Sequence, residues 1–277
     1  MLKKLVYVLI ILSFLFSLTA CVKEYLPSQE EESSCSISAD YSSFWDTGKG
    51  VNVTSAEVVD GDTFRLNKES YRIIGIDTPE VHKGSKPIGM YGEEAKEYFK
   101  WFADKFSERY IYKGKDGYGR DLIYLFSSNG SDVYFYEASV TAAGLARPLI
   151  YEKNSIPELI KAIIKAYRCA WENRRGIFSL WDSAPILKKG DEWKDKVGKI
   201  VWVEDTIEKV YETGDLYIAK GEYASFIARR DGYEYMFDDF DFYNLKGHKV
   251  NVYGELWEYN GHPEIMVRAP FEIVFEH

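Results

Sequence analysis

Short apolar stretches rich in β-branched and aromatic residues, each cut off by glycine, proline or Asp-Gly, run from residue 51 almost to the end of the chain. This pattern constrains the fold most, because such side chains fit a pleated surface and such punctuation fits tight turns. VVDGDTFRL (58–66) has apolar positions at Val58, Val59, Phe64 and Leu66 and breaks at Asp60-Gly61. A glycine there permits positive φ and hence a tight hairpin. SYRIIGID (70–77) is the next strand, stopped by Pro79, which has no N–H to donate to a ladder.

Helical spacing interrupts the strands. In 91–106, Ala95, Phe99, Phe102 and Phe106 share one face, and Glu93 and Glu94 suit the positive end of a helix dipole. Residues 109–130 read as a hairpin turning at DGYGR (116–120). A short strand then leads into a helix that stops near Gly144. A longer helix over 156–176 carries Leu159, Ile163, Ala166, Cys169 and Ala170 on one side, with Gly176 as its stop. Strands, a helix, more strands and two helices make an α+β fold around a small barrel, close to the OB layout.

The 277 residues suffice for two modest domains. Residues 184–194 read as a linker. Residues 195–277 hold five strand signals, with turns at Glu212–Asp215 and Asn260-Gly261, and resemble a second, small all-β OB-like barrel. Charge separates the two parts. Residues 51–183 are balanced, while 184–277 carry 12 basic and 19 acidic side chains. An acidic barrel opposes binding to a polyanion even though Trp202, Tyr217 and Phe226 supply aromatics. An interaction or stabilising domain, docking a protein partner, fits better. Asp238, Asp239 and Asp241 read as a solvated acidic loop.

The chain opens with Lys3 and Lys4, an apolar run from Leu5 to Leu18, and LTAC ending at Cys21. The run is shorter than the roughly 20 residues that span a bilayer. It has signal-peptide shape, and LTAC resembles the lipobox of bacterial lipoproteins. That resemblance implies cleavage after residue 20, lipidation of Cys21 and an extracytoplasmic, membrane-anchored protein. Residues 21–50, polar and rich in Ser and Glu, read as a flexible tether. Cys35 and Cys169 are either a bridge or two unrelated thiols. Spacing alone does not decide, and separate thiols are the plainer reading.

Three polar clusters carry the chemistry: Asp60 and Asp62 in a turn, Arg72 with Asp77, Thr78 and Glu80 around a strand, and Arg120 just after Tyr118-Gly119. Singly, each is a turn, a strand stop or a solvated arginine. Together they form a parts list. Two carboxylates with backbone carbonyls suit a hard cation such as Ca²⁺. Two arginines offer rigid forks for phosphate oxygens. A further carboxylate can orient or deprotonate water. These are the needs of phosphodiester hydrolysis.

VVDGDTFRL, RIIGIDTPE, YGEEA and YGR, with AGLAR and GIFSLW downstream, occur in the order and rough spacing of the staphylococcal nuclease (thermonuclease) family, which residues 51–183 resemble. The resemblance implies a Ca²⁺-dependent endonuclease that cuts DNA and RNA at the P–O5′ bond and leaves 3′-phosphates. By position, Asp62 and Asp77 match the Ca²⁺ carboxylates, and Thr78 matches the residue offering its carbonyl to the metal. Glu80 matches the carboxylate beside the attacking water. Arg72 and Arg120 match the phosphate-binding arginines, and Tyr118 a tyrosine near the terminal phosphate. Asp60 matches a turn aspartate supporting the metal site. The family has a lysine where Gly117 stands, so Lys113 or Lys115 is expected to take over that phosphate contact. A downstream stacking tyrosine falls on either Ile150 or Tyr151. One geometric question follows. Arg72 and Asp77 are five apart, so a continuous strand points them to opposite faces, and Pro79 is the expected break. The rival reading is a lipoprotein that holds nucleic acid or a protein on a nuclease fold without cutting.

Overall fold

The computed structural model describes residues 39–276 except Ser85 and Phe106. The expected signal (1–20), lipidated Cys21, most of the tether, Cys35 and the Phe106 position on the first helix face lie outside the described residues. From Tyr41 onward the tether expectation is corrected. Helix α1 (Ser42–Thr47) and strand β1 (Lys49–Val51) pack on the barrel. The Tyr41 ring lies 5.5 Å from Phe135, and Phe44 stacks on Phe126 at 5.6 Å. Burial of these rings outweighs the polar composition around them.

The first sheet runs β1, β6 (Ser107–Lys115), β7 (Asp121–Ser128), β4 (Glu69–Ile73), β3 (Thr63–Leu66) and β2 (Glu57–Val58), with β8 (Val133–Phe135) on β7. Strands β4 and β7 are parallel, the others antiparallel. Helix α2 (Gly92–Lys105) closes one end of this OB barrel through Ala95, Phe99 and Phe102. Phe102 and Phe99 meet Tyr136 of α3 (Tyr136–Ala142) edge-on at 4.9 and 5.3 Å.

The expected strand 70–77 is two strands. Gly75 adopts φ +85, and β5 (Gly75–Asp77) leaves β4 to pair with β9 (Arg147–Leu149). The break is at Gly75 and not at Pro79, because only glycine takes this conformation without strain. A Cβ there would also lie 2.8 Å from Ile163. Gly61 corrects the opposite way. It is absent from the positive-φ glycines and is needed because a Cβ would lie 2.8 Å from both Ala95 and Thr78. The long helix α4 (Pro157–Glu172) ends before Arg174, which turns left-handed at φ +54. Gly176 instead packs on Gly144, where a Cβ would come within 2.3 Å of the Gly144 carbonyl.

The second barrel closes as β11 (Ile200–Thr213), β12 (Leu216–Gly221), β13 (Ser225–Arg229), β15 (His262–Met266), β14 (Lys249–Tyr259) and back to β11. Strands β13 and β15 are parallel, and β16 (Ile273–Phe275) lies on β14. The expected linker is not plain coil: β10 (Ile186–Leu187) pairs with β11. Trp202 and Phe226 are buried and Tyr217 packs on Tyr233, so these aromatics build core and offer no stacking face. Asp241 caps a 3₁₀ turn through the Tyr243 N–H, while Asp238 and Asp239 stay exposed.

The barrels share their core. One apolar cluster holds Phe64, Ile123 and Ile150 of the first with Phe237 and Leu245 of the second. Gly232 approaches Ile150 so closely that a Cβ would sit 2.6 Å from it. A second cluster joins Tyr167 and Phe178 to Trp202 and Tyr253. Cys169 on α4 is disulfide-bonded, which corrects the free-thiol reading. Cys21 and Cys35, the other two cysteines, lie outside the described residues.

Glu108 on β6 is a buried acid whose Oε1 has no hydrogen-bond partner among the described residues. Burial pushes its carboxyl from the ordinary 4.5 up to about 7. The folded chain thus keeps a proton that the unfolded chain has released. Its stabilising effect is full below pH 4.5 and is lost as pH rises through about 7. Glu108→Gln is expected to stabilise the protein by about 1–3 kcal/mol at roughly pH 8 and to flatten that decline. Thermal unfolding of both proteins at several pH values checks it; parallel curves would remove Glu108 as the cause.

Candidate active site

The site is built from the turn before β3, from β4 and from the neighbouring β5 of the β5–β9 ribbon. Tyr136 Oη donates to the Gly61 carbonyl at 2.5 Å and fixes the turn carrying Asp60 and Asp62. Asp62 Oδ2 accepts from the Thr78 amide at 2.7 Å and from its hydroxyl at 3.1 Å. Asp60 Oδ1 accepts from the Asp62 amide at 3.1 Å. Burial, with the Asp62 charge beside it, pushes the Asp60 carboxyl from 3.8 up to about 7.

The break at Gly75 settles the parity question. Arg72 Nη1 pairs with Asp62 Oδ1, and Nη2 donates to the Ile76 carbonyl at 3.0 Å and reaches Asp77 Oδ1 at 3.4 Å. One guanidinium therefore bridges both carboxylates. Lys86 is the cation that the sequence reading missed. Its Nζ lies 2.6 Å from Asp77 Oδ1 and 3.4 Å from Glu80 Oε1. Arg268 of the second barrel is another: Nη2 donates to Asp77 Oδ2 at 3.0 Å. Burial alone would raise the Asp77 carboxyl, but Lys86, Arg268 and Arg72 outweigh it and hold it far below the usual carboxylate range.

A cleft of about 830 Å³ opens on this wall, lined by Asp60, Asp62, Arg72, Glu80, Lys86, Lys115, Tyr118, Arg120 and Tyr151 among others. Arg120 is anchored by Asp116, whose Oδ2 accepts from Nε at 2.7 Å and whose Oδ1 accepts from the Tyr118 and Arg120 amides at 2.9 Å. Among the described residues its terminal nitrogens make no hydrogen bond, so its fork is free. Arg72 differs, because both its terminal nitrogens are taken. Tyr118 is 89% exposed, with Arg120 5.5 Å from its ring centre. Lys115 lines the cleft but donates to Asp121 at 2.5 Å, and Lys113 is not in the lining. Of the two stacking candidates, Ile150 is buried and Tyr151 lines the cleft under the Arg229 guanidinium, 4.7 Å away. Asp77 and Thr78 are buried and not in the lining, while Lys86, which pairs with Asp77, is.

Two carboxylates with a backbone carbonyl are of the donor type that suits a hard cation, although among the described residues no group of three or more acidic, histidine or cysteine side chains is placed to hold a metal ion. Asp62 and Asp77 are close enough to share one guanidinium, and the Lys86 ammonium marks a point where carboxylate oxygens of Asp77 and Glu80 hold positive charge. A divalent ion at Asp62 and Asp77 would have to compete with Arg72 and Lys86 for the same oxygens. Lys86 and Arg268 had no local signal in KGSKPIG or IMVRAP, since their roles depend on segments brought together by folding. Asp116 had one, the Asp-Gly of its turn.

An OB barrel with a cleft of paired carboxylates, a free arginine fork and a further acid defines a phosphodiester-handling class of protein. Residues 70–182 match the family described as staphylococcal nuclease homologue. The thermonuclease of Staphylococcus hyicus is 32% identical over 127 residues, which cover 42% of this chain and 73% of the relative. An uncharacterised protein of Methanocaldococcus jannaschii is 31% identical over 163 residues, 50% of this chain and 77% of that one. The endonuclease YncB of Bacillus subtilis is 32% identical over 115 residues, 39% and 53% of the two chains. The chain belongs to the staphylococcal nuclease family.

Proposed function

We propose that the protein is a Ca²⁺-dependent endonuclease that hydrolyses DNA and RNA outside the cytoplasm, tethered to a membrane through a lipidated Cys21. The carrying observation is the free fork of Arg120 opening on the same cleft as Glu80 and Asp62. The thermonuclease and endonuclease relatives support the chemistry. Arg120 binds the scissile phosphate with two N–H groups aimed by its Asp116 anchor. Glu80, held on a short bridge to Ile88, takes the proton of the attacking water. Tyr118 and Tyr151 flank the nucleotide. Asp62, Asp77 and the Thr78 carbonyl would hold the ion, which would supply charge stabilisation to the phosphoryl oxygens. Water attack with P–O5′ cleavage yields 3′-phosphate and 5′-hydroxyl ends.

Purified protein is expected to cut plasmid DNA and single-stranded RNA in millimolar Ca²⁺ and to stop in EGTA. The products accept a 5′-phosphate from a kinase without prior dephosphorylation. Absence of Ca²⁺-dependent cutting sinks the hydrolase reading. It would favour the rival, a fold that holds nucleic acid without cutting, for which one observation speaks: Arg72 occupies one oxygen of Asp62, and Lys86 and Arg268 occupy the two oxygens of Asp77. The address is read separately, since Cys21→Ser should release the protein from membranes. No helix among the described residues is long and apolar enough to cross a membrane.

A further inference from the structure

The second barrel reaches the candidate site through a buried arginine. Arg268 follows β15, and its Nη2 donates to Asp77 Oδ2 at 3.0 Å while Nη1 donates to the Pro148 carbonyl at 3.1 Å. The guanidinium thus grips both strands of the β5–β9 ribbon on which Asp77 rides. Its side chain is 2% exposed. Arg268 is itself held. Its amide donates to Glu272 Oε2 at 2.6 Å, and Glu272 accepts from the Tyr167 hydroxyl of α4. Across Asp77, Oδ1 meets a different kind of cation, Lys86, whose side chain is 31% exposed and lines the cleft.

We propose that Arg268 is a positioning residue of the nuclease site. It turns Oδ2 of Asp77 inward and leaves Oδ1 to an exchangeable cation, so the second barrel is an integral part of the site. This rests on the reading that Asp77 holds a divalent ion. Two effects of Arg268 oppose each other. Its charge repels an incoming cation, and its hydrogen bond fixes the carboxylate that receives one. Fixation wins, because without Arg268 the inward oxygen is buried with no donor and the carboxylate turns toward Arg72 to recover one. Lys86 has the contrary role, since it must leave Oδ1 before a metal ion enters.

The two residues therefore have effects of opposite sign on Ca²⁺ affinity, read by calorimetric titration of the full chain with Ca²⁺ alone. Arg268→Met is expected to weaken binding about 10–100-fold, the range for partners that orient a metal ligand. Arg268→Lys, which keeps a donor on Oδ2, restores most of it, and Lys86→Met tightens binding. Where Arg268→Met does not fold, Arg268→Gln retains an N–H for Pro148 and is read the same way. Arg268→Met or Arg268→Gln binding Ca²⁺ as tightly as the parent overturns the proposal, as does an equal loss in Lys86→Met. A parent that binds no Ca²⁺ overturns the cation reading itself, a result distinct from either.

Discussion

Glu80→Gln is expected to lower the rate of phosphodiester cleavage about 10²–10⁴-fold, the usual contribution of a positioned general base, and to leave the fold intact. The backbone of Glu80 is fixed by the Gly89 amide, which donates to its carbonyl at 3.0 Å, and by the bridge to Ile88. Close packing reinforces this, since a Cβ on Gly92 would sit 2.8 Å from the Glu80 carbonyl oxygen. Its carboxylate is a third exposed, and among the described residues its cation partner is the Lys86 ammonium 3.4 Å away. Glutamine preserves the shape of the side chain but cannot accept a proton. Single-turnover cleavage, with circular dichroism and nucleic-acid binding as controls, separates lost chemistry from lost structure. A fall of less than tenfold with binding unchanged would take Glu80 out of the proton-accepting role.

Arg147→Met is expected to destabilise the whole chain by about 3–5 kcal/mol, the cost of leaving one partner of a buried ion pair alone. Arg147 on β9 and Glu255 on β14 meet at 3.2 Å with side chains 5% and 8% exposed. Gly89 crowds the same carboxylate, because a Cβ there would lie 2.4 Å from Glu255 Oε1. Glu255 therefore has little room to swing toward solvent. The double variant Arg147→Met with Glu255→Met removes both charges, and most of the loss is expected to return. Urea unfolding of the three proteins measures this. Because the apolar core is continuous between the barrels, both halves should unfold in one transition. A second transition, or a double variant no better than the single, would mean that the pair does not couple the barrels.

Much of the site was legible because its chemistry is written in short segments. Asp60-Gly61-Asp62, Arg72, Asp77 to Glu80 and the Tyr118–Arg120 turn each carry their residues on one local element, and the cleft gathers most of them. What misled was backbone conformation. Proline is the obvious strand stop, yet Gly75 divides the strand, and a glycine in an apolar run looks like any small residue until its φ is known. The tether reading failed at Tyr41 and Phe44 for a related reason. Polar neighbours hide aromatic anchors whose partners lie far along the chain.

The sequence by itself determined most of the elements, the two barrels and the acids and arginines carried on local motifs, because side-chain periodicity, turn residues and local motifs act over a few positions. Only the tertiary structure brought in Lys86 and Arg268 and decided how the charged groups are paired. Arg72 is committed to two carboxylates, Arg120 is anchored by Asp116 with its terminal nitrogens unbonded among the described residues, Lys86 sits on the oxygen of Asp77 opposite the one Arg268 holds, and the second barrel thereby contributes to the site. Charge pairing depends on distance in space and on burial, and a separation of 191 positions between Arg268 and Asp77 leaves no local trace of either.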